Sequence, residues 1–378
     1  MNLNSIITPY FFVETMKILV VKLSALGDIV HALPVVDYIK SHLPTAEIDW
    51  VVEERFKELL ATHSLINKIY PVDTKAVRQN PAKGCRILFN LGKIMASRNY
   101  DVTLDLQGNI KSGIFTILSR APLRYGFSRS EVREFPNLFA TNRKIHSPEG
   151  IQPIRVRVLQ IAAKFLEEAG ALISARNKIC CWDKPLHYLV DPEEKLRQEK
   201  LLRDQGWKGE PLIGIIPGTT WKTKMWHLYR WRECVELITR DNIGRVLIFW
   251  GSQQELDLAN KILNLSRIHY QRNHKPIIWH GGGLRPLIAA LSLTSVVIGP
   301  DTGPLHLAAL IGIPTISIYR ATDHIRNKPN GSIHASYQVQ LPCSPCLKKK
   351  CNLNELCSMA IPAEVVINHI KTILGRVY

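Results

Sequence analysis

The chain has 378 residues, of which 46% are hydrophobic and 21% charged, and its formal net charge is +17. This length predicts two domains of roughly 150–190 residues, and the balanced composition excludes wholesale disorder, collagen and coiled coils. No apolar run reaches the roughly 18–20 residues of a membrane-spanning helix. The cationic excess favours an anionic partner, and the candidates are nucleic acid, a phosphorylated substrate and an acidic membrane surface. The alternative is that the excess charge reflects only a basic protein surface.

Residues 1–15 are mostly apolar but lack the basic segment and small-residue cleavage site of a signal peptide. Met16 stands directly before the first predicted strand and is an alternative start. We treat 1–15 as an N-terminal extension and expect a cytoplasmic protein.

The first half alternates short apolar runs with amphipathic stretches, which predicts βαβ units and a twisted parallel sheet. Strands are predicted at 17–23, 47–52, 68–72 and 100–106, and helices at 29–39, 56–60 and 85–98. Residues 124–157 are basic and polar and predict a long loop, followed by a helix over 153–169.

The second half repeats the pattern, with strands predicted at 212–218, 245–250, 277–279, 295–298 and 315–319 and a helix starting near Leu228. The fold class is therefore α/β, with two Rossmann-like, doubly wound sheets facing across a cleft. We expect an N-terminal domain at 16–190, a C-terminal domain at 191–360 and a final helix at 361–378.

In open α/β sheets the ligand lies beyond the carboxyl ends of the strands, so the strand-to-helix loops are the candidate sites. The first such loop, 23–28, contains Gly27 for a tight turn and Asp28 near a helix N-terminus. Asp28 either caps this helix or presents its carboxylate to the cleft, and both roles can coexist. The loop lacks G-x-G-x-x-G, which disfavours an ordinary dinucleotide-binding dehydrogenase.

Two further loops carry polar and cationic side chains. Residues 105–112 suit a hydroxyl-rich or anionic ligand, although an ordinary capped turn also explains them. Residues 217–226 combine threonines, lysines and backbone amides at a strand end, which is typical of an anion-binding loop, unless they form a solvated basic loop.

The most specific loop is 299–309, which follows a strand and opens an apolar helix. The amides of Thr302 and Gly303 and the helix dipole suit a pyrophosphate, and His306 lies one turn further along. Asp301 is predicted to cap the helix or to meet a ribose hydroxyl. No Asp-x-Asp pair occurs, so lysine, amides and helix termini rather than a carboxylate-held metal must neutralise the pyrophosphate.

Four cysteines cluster near the C-terminus, at Cys343, Cys346, Cys351 and Cys357. Their spacing is compatible with a structural zinc or iron site, with free thiols or with regulatory disulfides. Cys85, Cys180, Cys181 and Cys234 are expected to be ordinary buried or scattered cysteines.

Taken together, the segments 22–34, 105–112, 219–226 and 301–306 resemble, in order and separation, those of the ADP-heptose:lipopolysaccharide heptosyltransferases, a family of GT-B glycosyltransferases. The resemblance covers nearly the whole chain from Met16. It implies acceptor binding in the N-terminal domain and ADP-sugar binding in the C-terminal domain.

The resemblance also implies roles for individual residues. Asp28 is placed as the catalytic base. The donor ADP-heptose is implied to contact Thr219, Thr220, Lys224, Gln253, Asp301, Thr302, Gly303 and His306. The acceptor is implied to contact Lys22, Ser24, Gly27, Gln107, Lys111 and Arg133. The chain departs from the family in having Gln253 where a glutamate often follows Trp-Gly-x, and Arg320-Ala321 where Gly-Pro is usual.

The implied reaction is an inverting heptosyl transfer from ADP-heptose to Kdo of Kdo-lipid A, with no cofactor needed for catalysis. Basic residues of the N-terminal half suit an acidic acceptor at the inner face of the inner membrane, where we expect peripheral binding; they are Arg120, Arg124, Arg129, Arg133, Arg143, Lys144, Arg155 and Arg157. A transferase of the same family that adds a later heptose or another sugar is the main alternative. A nucleic-acid-binding protein with a four-cysteine metal site would leave the loop 299–309 unexplained, so nucleic acid is not an expected partner.

Overall fold

The computed structural model describes residues 15–147, 150–170, 184–264 and 275–377. The predicted extension, apart from its last residue, lies outside these ranges, as do Cys180 and Cys181. Among the described helices, none is both long enough and apolar enough to span a bilayer.

The described chain contains two six-stranded parallel sheets, which confirms the predicted fold class. The strands of the first sheet are β1 (Lys17–Val21), β2 (Glu47–Glu53), β3 (Lys68–Val72), β4 (Val102–Asp105), β5 (Leu123–Phe127) and β6 (Arg143–Ile145). Those of the second are β7 (Leu212–Ile215), β8 (Arg245–Ile248), β9 (Ile277–Ile278), β10 (Val296–Pro300), β11 (Thr315–Tyr319) and β12 (Ala335–Gln338).

The strand order is 3-2-1-4-5-6 in the first sheet and 12-11-10-7-8-9 in the second, so both sheets are doubly wound. β1 pairs with β2 and β4, and β7 pairs with β8 and β10, all in parallel. The order of the strands therefore reverses between β1 and β4 in one sheet and between β7 and β10 in the other.

Helices cover the faces of both sheets. Those of the first half are α1 (Leu26–Ala32), α2 (Pro34–His42), α3 (Lys57–Ala61), α4 (Thr74–Gln79), α5 (Pro81–Ala96), α6 (Ile110–Leu118) and α7 (Ile154–Glu168). Those of the second half are α8 (Pro192–Asp204), α9 (Leu228–Arg240), α10 (Gln253–Asn264), α11 (Leu284–Leu291), α12 (Gly303–Leu310), α13 (His324–Asn327), α14 (Asn354–Met359) and α15 (Ala363–Val377). Short 3-10 turns lie at Glu54–Phe56, Phe135–Phe139, His187–Leu189 and Lys222–Lys224.

The long loop predicted at 124–157 is wrong, because it contains β6 and all but the first residue of β5. In β5 the buried Tyr125 and Phe127 alternate with Arg124, whose guanidinium is satisfied by the carbonyls of Ala121 and Ala140. The edge strand β6 exposes Arg143 and Lys144 to solvent. The segment was predicted as a loop because its residues are basic, although it forms an edge strand of the sheet. The strand β12 was likewise not predicted.

The two halves share a hydrophobic core. One cluster of buried side chains runs from the first sheet (Ile18, Trp50) into the helices and strands of the second half (Leu247, Leu305). α1 packs against α12, where a β-carbon on Gly303 would lie only 2.8 Å from the side chain of Leu26. The domain limits predicted at 190 and 360 remain predictions, since β6 ends at Ile145 and β7 begins at Leu212.

Candidate active site

The cleft between the halves lies where the strand order reverses in both sheets. The loops after β1 and β4 face the loops after β7 and β10, and together they line a cavity of about 730 Å³. Twelve predicted site residues line it: Lys22, Gly27, Asp28, Gln107, Arg133, Thr219, Thr220, Lys224, Asp301, Thr302, Gly303 and His306. Ser24, Lys111 and Gln253 are not among the lining residues.

Asp28 occupies the first turn of α1 at the mouth of the cleft. Ala25, not Asp28, is the N-cap residue, and the Asp28 carboxylate accepts a hydrogen bond from the Ala25 amide at 3.4 Å. Its Oδ2 also lies 3.8 Å from Nη1 of Arg133, and the side chain stays partly exposed. Asp28 is therefore not the N-cap residue, but its carboxylate helps to cap the helix from the third position and also lies in the cleft with a guanidinium beside it.

Buried polar groups of the first sheet hold the loop that carries Asp28. The Gln107 side-chain oxygen accepts from the amides of Leu23 at 2.7 Å and Ser24 at 3.1 Å. Lys22 donates to the carbonyl of Leu106 at 2.8 Å, and burial lowers the pKa of this ammonium, although Asp28 and Asp105 oppose the shift. These contacts give Lys22 and Gln107 a positioning role in addition to their place in the cleft wall.

Gly108 allows the neighbouring loop to turn. Its φ of +72° lies in the left-handed region, and a β-carbon there would come within 2.8 Å of the Phe127 ring. Its carbonyl accepts from the amides of Arg133 and Glu134, which brings Arg133 to the cleft.

In the second half, Asp301 organises the cationic side of the cleft. Its carboxylate accepts from Lys224 Nζ at 2.7 Å and from Asn327 Nδ2 at 3.0 Å, and it lies 2.9 Å from Nε2 of His306. Burial by itself would raise the pKa of Asp301, but His306 and Lys224 outweigh it and hold this pKa well below its usual range. The predicted capping role is wrong, because Thr302 is the N-cap of α12.

A pair of histidines joins the two halves behind this carboxylate. The rings of His31 from α1 and His306 from α12 lie 4.5 Å apart. Burial, followed by His306 and Arg155, lowers the pKa of His31 well below its usual value, so His31 is neutral at pH 7. Asp301 therefore fixes His306 on one side while an uncharged ring packs on the other.

Two arginines of the cleft wall, Arg55 and Arg326, were not singled out by the sequence interpretation. Arg55, Arg157 and Arg326 add three cations to the wall, and the indole of Trp221 lies 5.0 Å from Nζ of both Lys224 and Lys349. Arg55 lies in a 3-10 turn and Arg326 in α13, so they are far apart in the sequence and no local motif marked them. The cleft wall holds six lysines and arginines against three carboxylates, which favours an anionic ligand.

Gln253 lies away from the cleft, and the glutamate two residues later contacts the loop after β7. Gln253 is exposed at the start of α10 and donates to Asp257, whereas Glu255 accepts from the Gly251 amide at 2.7 Å. A β-carbon on Gly218 would come within 2.4 Å of the Glu255 side chain, so this carboxyl group lies against the loop after β7.

The departure at Arg320 has a structural reason. This buried guanidinium donates to the backbone carbonyls of Met225 and, at 2.7 Å, Asn354. It thus ties the loop after β7 to the start of α14.

The four clustered cysteines are free thiols in the described structure. Across the described ranges, no three histidine, cysteine, aspartate or glutamate side chains converge in an arrangement that would hold a metal ion. The placement of the four cysteines therefore does not fit a metal site. Zinc or iron binding by these cysteines remains a prediction, which elemental analysis tests. Cys234 is buried in the second core, as expected, and Cys85 is exposed on α5.

Comparison with known proteins places this site in a family. Residues 88–357 match the description glycosyltransferase family 9 (heptosyltransferase). The chain is 29% identical to lipopolysaccharide heptosyltransferase 1 of Pseudomonas aeruginosa, over 89% of this chain and 87% of that one. It is also 29% identical to the protein of the same name from Campylobacter coli, over 95% and 99%. The chain also matches, more weakly, proteins called heptosyltransferase 2 and heptosyltransferase 3.

Solved structures resemble the fold as well. E. coli heptosyltransferase WaaC with ADP superimposes with a TM-score of 0.72 at 22% identity, covering 95% of this chain and all of that one. The family match spans more than two thirds of the sequence, and the two doubly wound sheets of the GT-B fold are present. The chain therefore belongs to glycosyltransferase family 9, the heptosyltransferases, and is a glycosyltransferase.

Proposed function

We propose that this protein transfers L-glycero-D-manno-heptose from ADP-heptose to a Kdo residue of Kdo-lipid A, with inversion, in assembly of the lipopolysaccharide inner core. The observation that carries the proposal is the placement of Asp28 opposite the Lys224–Asp301–His306 cluster, in one cavity at the switch points of both sheets. The relatives called lipopolysaccharide heptosyltransferase 1 support the proposal that the protein transfers heptose to Kdo and not at a later step.

The chemical step uses Asp28 as the general base. The carboxylate takes the proton of an acceptor hydroxyl as its oxygen forms a bond to the anomeric carbon. The bond between that carbon and the β-phosphate oxygen breaks, and ADP leaves with the electron pair. Arg133, 3.8 Å from Asp28, is placed to bind an acidic acceptor sugar beside the base.

Residues of the second half of the chain stabilise the leaving group, ADP. Lys224, Arg326 and the N-terminus of α12 supply positive potential for the departing diphosphate. Asp301 holds Lys224 and His306 in place, so it acts as a positioning residue. Because the sequence lacks an Asp-x-Asp pair, we propose that these groups replace the metal that such a pair would hold.

The acceptor is proposed to enter from the first half. Arg55, Arg133 and Arg157 line that side, and guanidinium groups suit the carboxylates and phosphates of Kdo-lipid A. Since that acceptor carries acyl chains, we propose that the protein works at the anionic inner face of the inner membrane.

A transfer assay tests the proposal. Purified protein is incubated with radiolabelled ADP-heptose and either Kdo-lipid A or the same acceptor already carrying one heptose. Transfer to Kdo-lipid A alone is expected. Transfer only to the heptosylated acceptor would reassign the protein to a later step, and transfer to neither would refute the proposal.

A further inference from the structure

A continuous apolar surface covers the outer side of the first half. It consists of Phe89 on α5, the stripe Ile110, Ile114 and Ile117 on α6, and Phe135 and Phe139 on the adjoining 3-10 turn, and we name these six residues the apolar face. Phe139 is 79% exposed, Phe89 61% and Ile117 56%. Large apolar side chains grouped in this way mark an interaction surface rather than ordinary exterior.

Close packing of the three elements makes the face continuous. A β-carbon on Gly92 of α5 would meet Leu118 of α6 at 2.9 Å, and one on Gly113 of α6 would meet Asn137 of the 3-10 turn at 3.2 Å. Both helices bury their opposite sides on the sheet, through side chains such as Met95 and Phe115. The spacing of 110, 114 and 117 places the three isoleucines on one outward stripe of α6.

Cations outnumber carboxylates around the apolar face. Residues 74–100 contain six lysines and arginines and residues 106–130 contain four, with no aspartate or glutamate in either stretch. Lys93 Nζ lies 4.5 Å from the Phe89 ring, and Arg129 Cζ lies 5.2 Å from the Phe135 ring. Glu134 is the nearest acidic side chain along the chain, and its carboxylate accepts from the Ile110 amide.

We infer that the apolar face is a docking surface for an anionic lipid bilayer, with the six side chains entering the headgroup region and the surrounding cations binding lipid phosphates. Apolar residues combined with lysine and arginine are the composition of interfacial membrane-binding surfaces. A second copy of this chain is a poorer occupant, because a symmetric contact would oppose the two sets of cations. Nucleic acid offers nothing that would cover exposed isoleucines.

The apolar face lies next to the part of the chain that carries the acceptor side of the cleft. Glu134, bonded to Ile110, directly follows Arg133, which lies beside Asp28. Bilayer contact would therefore present the acceptor side of the cleft to the membrane. This consequence rests on the proposed function, whereas the docking surface itself does not.

Vesicle flotation tests the inference without any transfer reaction. Wild-type protein is mixed with vesicles of phosphatidylethanolamine and phosphatidylglycerol, and separately with phosphatidylcholine alone. We expect flotation with the anionic vesicles, reduced but not abolished at 0.5 M NaCl because the apolar contribution is insensitive to salt. Absence of binding to anionic vesicles would overturn the inference.

Substitutions inside and outside the apolar face test whether it is the surface that binds the bilayer. The double substitution Ile114→Ser with Ile117→Ser, and separately Phe139→Ser, should each lower the vesicle partition coefficient about tenfold, whereas Phe139→Leu should retain binding. Leu196→Ser, at a residue 68% exposed on α8, is the matched control and should bind like wild type. Equal binding by all variants would overturn the inference, as would a dimer in sedimentation equilibrium that only the face variants lose.

Two readouts separate folding and function from docking. Thermal melts of the variants should match wild type, because the substituted side chains are exposed. If Phe139→Ser does not fold, the double substitution Ile114→Ser with Ile117→Ser still tests the apolar face. Turnover with a deacylated, water-soluble acceptor should be unchanged in the face variants. If that turnover is zero in wild type, the proposed function fails while the flotation result still decides the docking surface.

Discussion

Replacing Asp301 with asparagine removes the charge that holds the donor side of the cleft together. Asp301 is 7% exposed and contacts Lys224, His306 and Asn327 through its two carboxylate oxygens. The amide of Asp301→Asn has nearly the same shape, so the substitution changes charge and hydrogen bonding with little change in volume. Its NH₂ group would have to face the donors that the carboxylate now accepts from.

The cost follows from the burial of the pair. Removing one partner of a buried ion pair costs about 3–5 kcal/mol, because the other charge is left uncompensated. The Lys224 side chain is 16% exposed and can turn toward the cleft, so we expect the lower end, about 3 kcal/mol.

The pH dependence of this loss has a definite sign. The folded-state pKa of Asp301 lies below the value of about 3.9 expected in the unfolded chain. The carboxylate therefore stabilises the fold fully at neutral pH, and this contribution disappears as the pH falls through the folded-state value. The difference between wild type and Asp301→Asn should be constant near pH 7 and should shrink below about pH 4.

Urea unfolding at pH 7 and at several values below pH 5 measures the difference. Asp241→Asn is the control, since Asp241 pairs with Lys371 and Arg240 at the surface and should have little effect. If Asp301→Asn unfolded at the wild-type urea concentration at pH 7, or if its deficit grew at low pH, the assignment of Asp301 as the buried counter-ion would be refuted.

Three further predictions concern the cleft and its loops. Asp28→Asn should lower transfer by about 10²–10⁴-fold while calorimetric ADP affinity stays near wild type, and retained turnover would remove Asp28 from the base role. Gly303→Ala puts a β-carbon 2.8 Å from Leu26 and should lower kcat/KM about 100-fold by forcing the loops apart. Gly27→Ala, with 3.4 Å to His306, should cost much less, and equal losses would exclude a steric cause. Gly108→Ala combines a left-handed φ with a 2.8 Å contact and should destabilise by about 2–4 kcal/mol in urea. Gly209→Ala, which has a positive φ and no atom within 4 Å, should cost only about 1 kcal/mol, so equal values would show that the Phe127 contact is unimportant.

Much of the architecture was predictable because buried parallel strands are continuous apolar runs. β2, β3, β8 and β11 lie within a residue or two of their predicted positions, and α9 begins at Leu228 as expected. The loops that follow such strands gather at one edge of a sheet, so local reading also located Asp28, Lys224 and Asp301 in a cleft.

Basic segments misled the sequence interpretation, because charge reports exposure and not backbone conformation. Arg124 lies in a strand with its guanidinium bonded to backbone carbonyls, and β6 is an exposed edge. Arg157, one of the basic residues expected to suit an acidic acceptor, pairs with Glu131 and lines the cleft.

The sequence by itself determined two doubly wound sheets, the loops at their switch points and the family to which they belong, since each depends on residues close together in the chain. Only the tertiary structure decided which carboxylate neutralises Lys224, that His31 packs on His306, and that six apolar side chains from three elements form one exposed face. Those contacts join positions tens to hundreds of residues apart, so they arise from how helices and sheets pack and leave no local pattern to read.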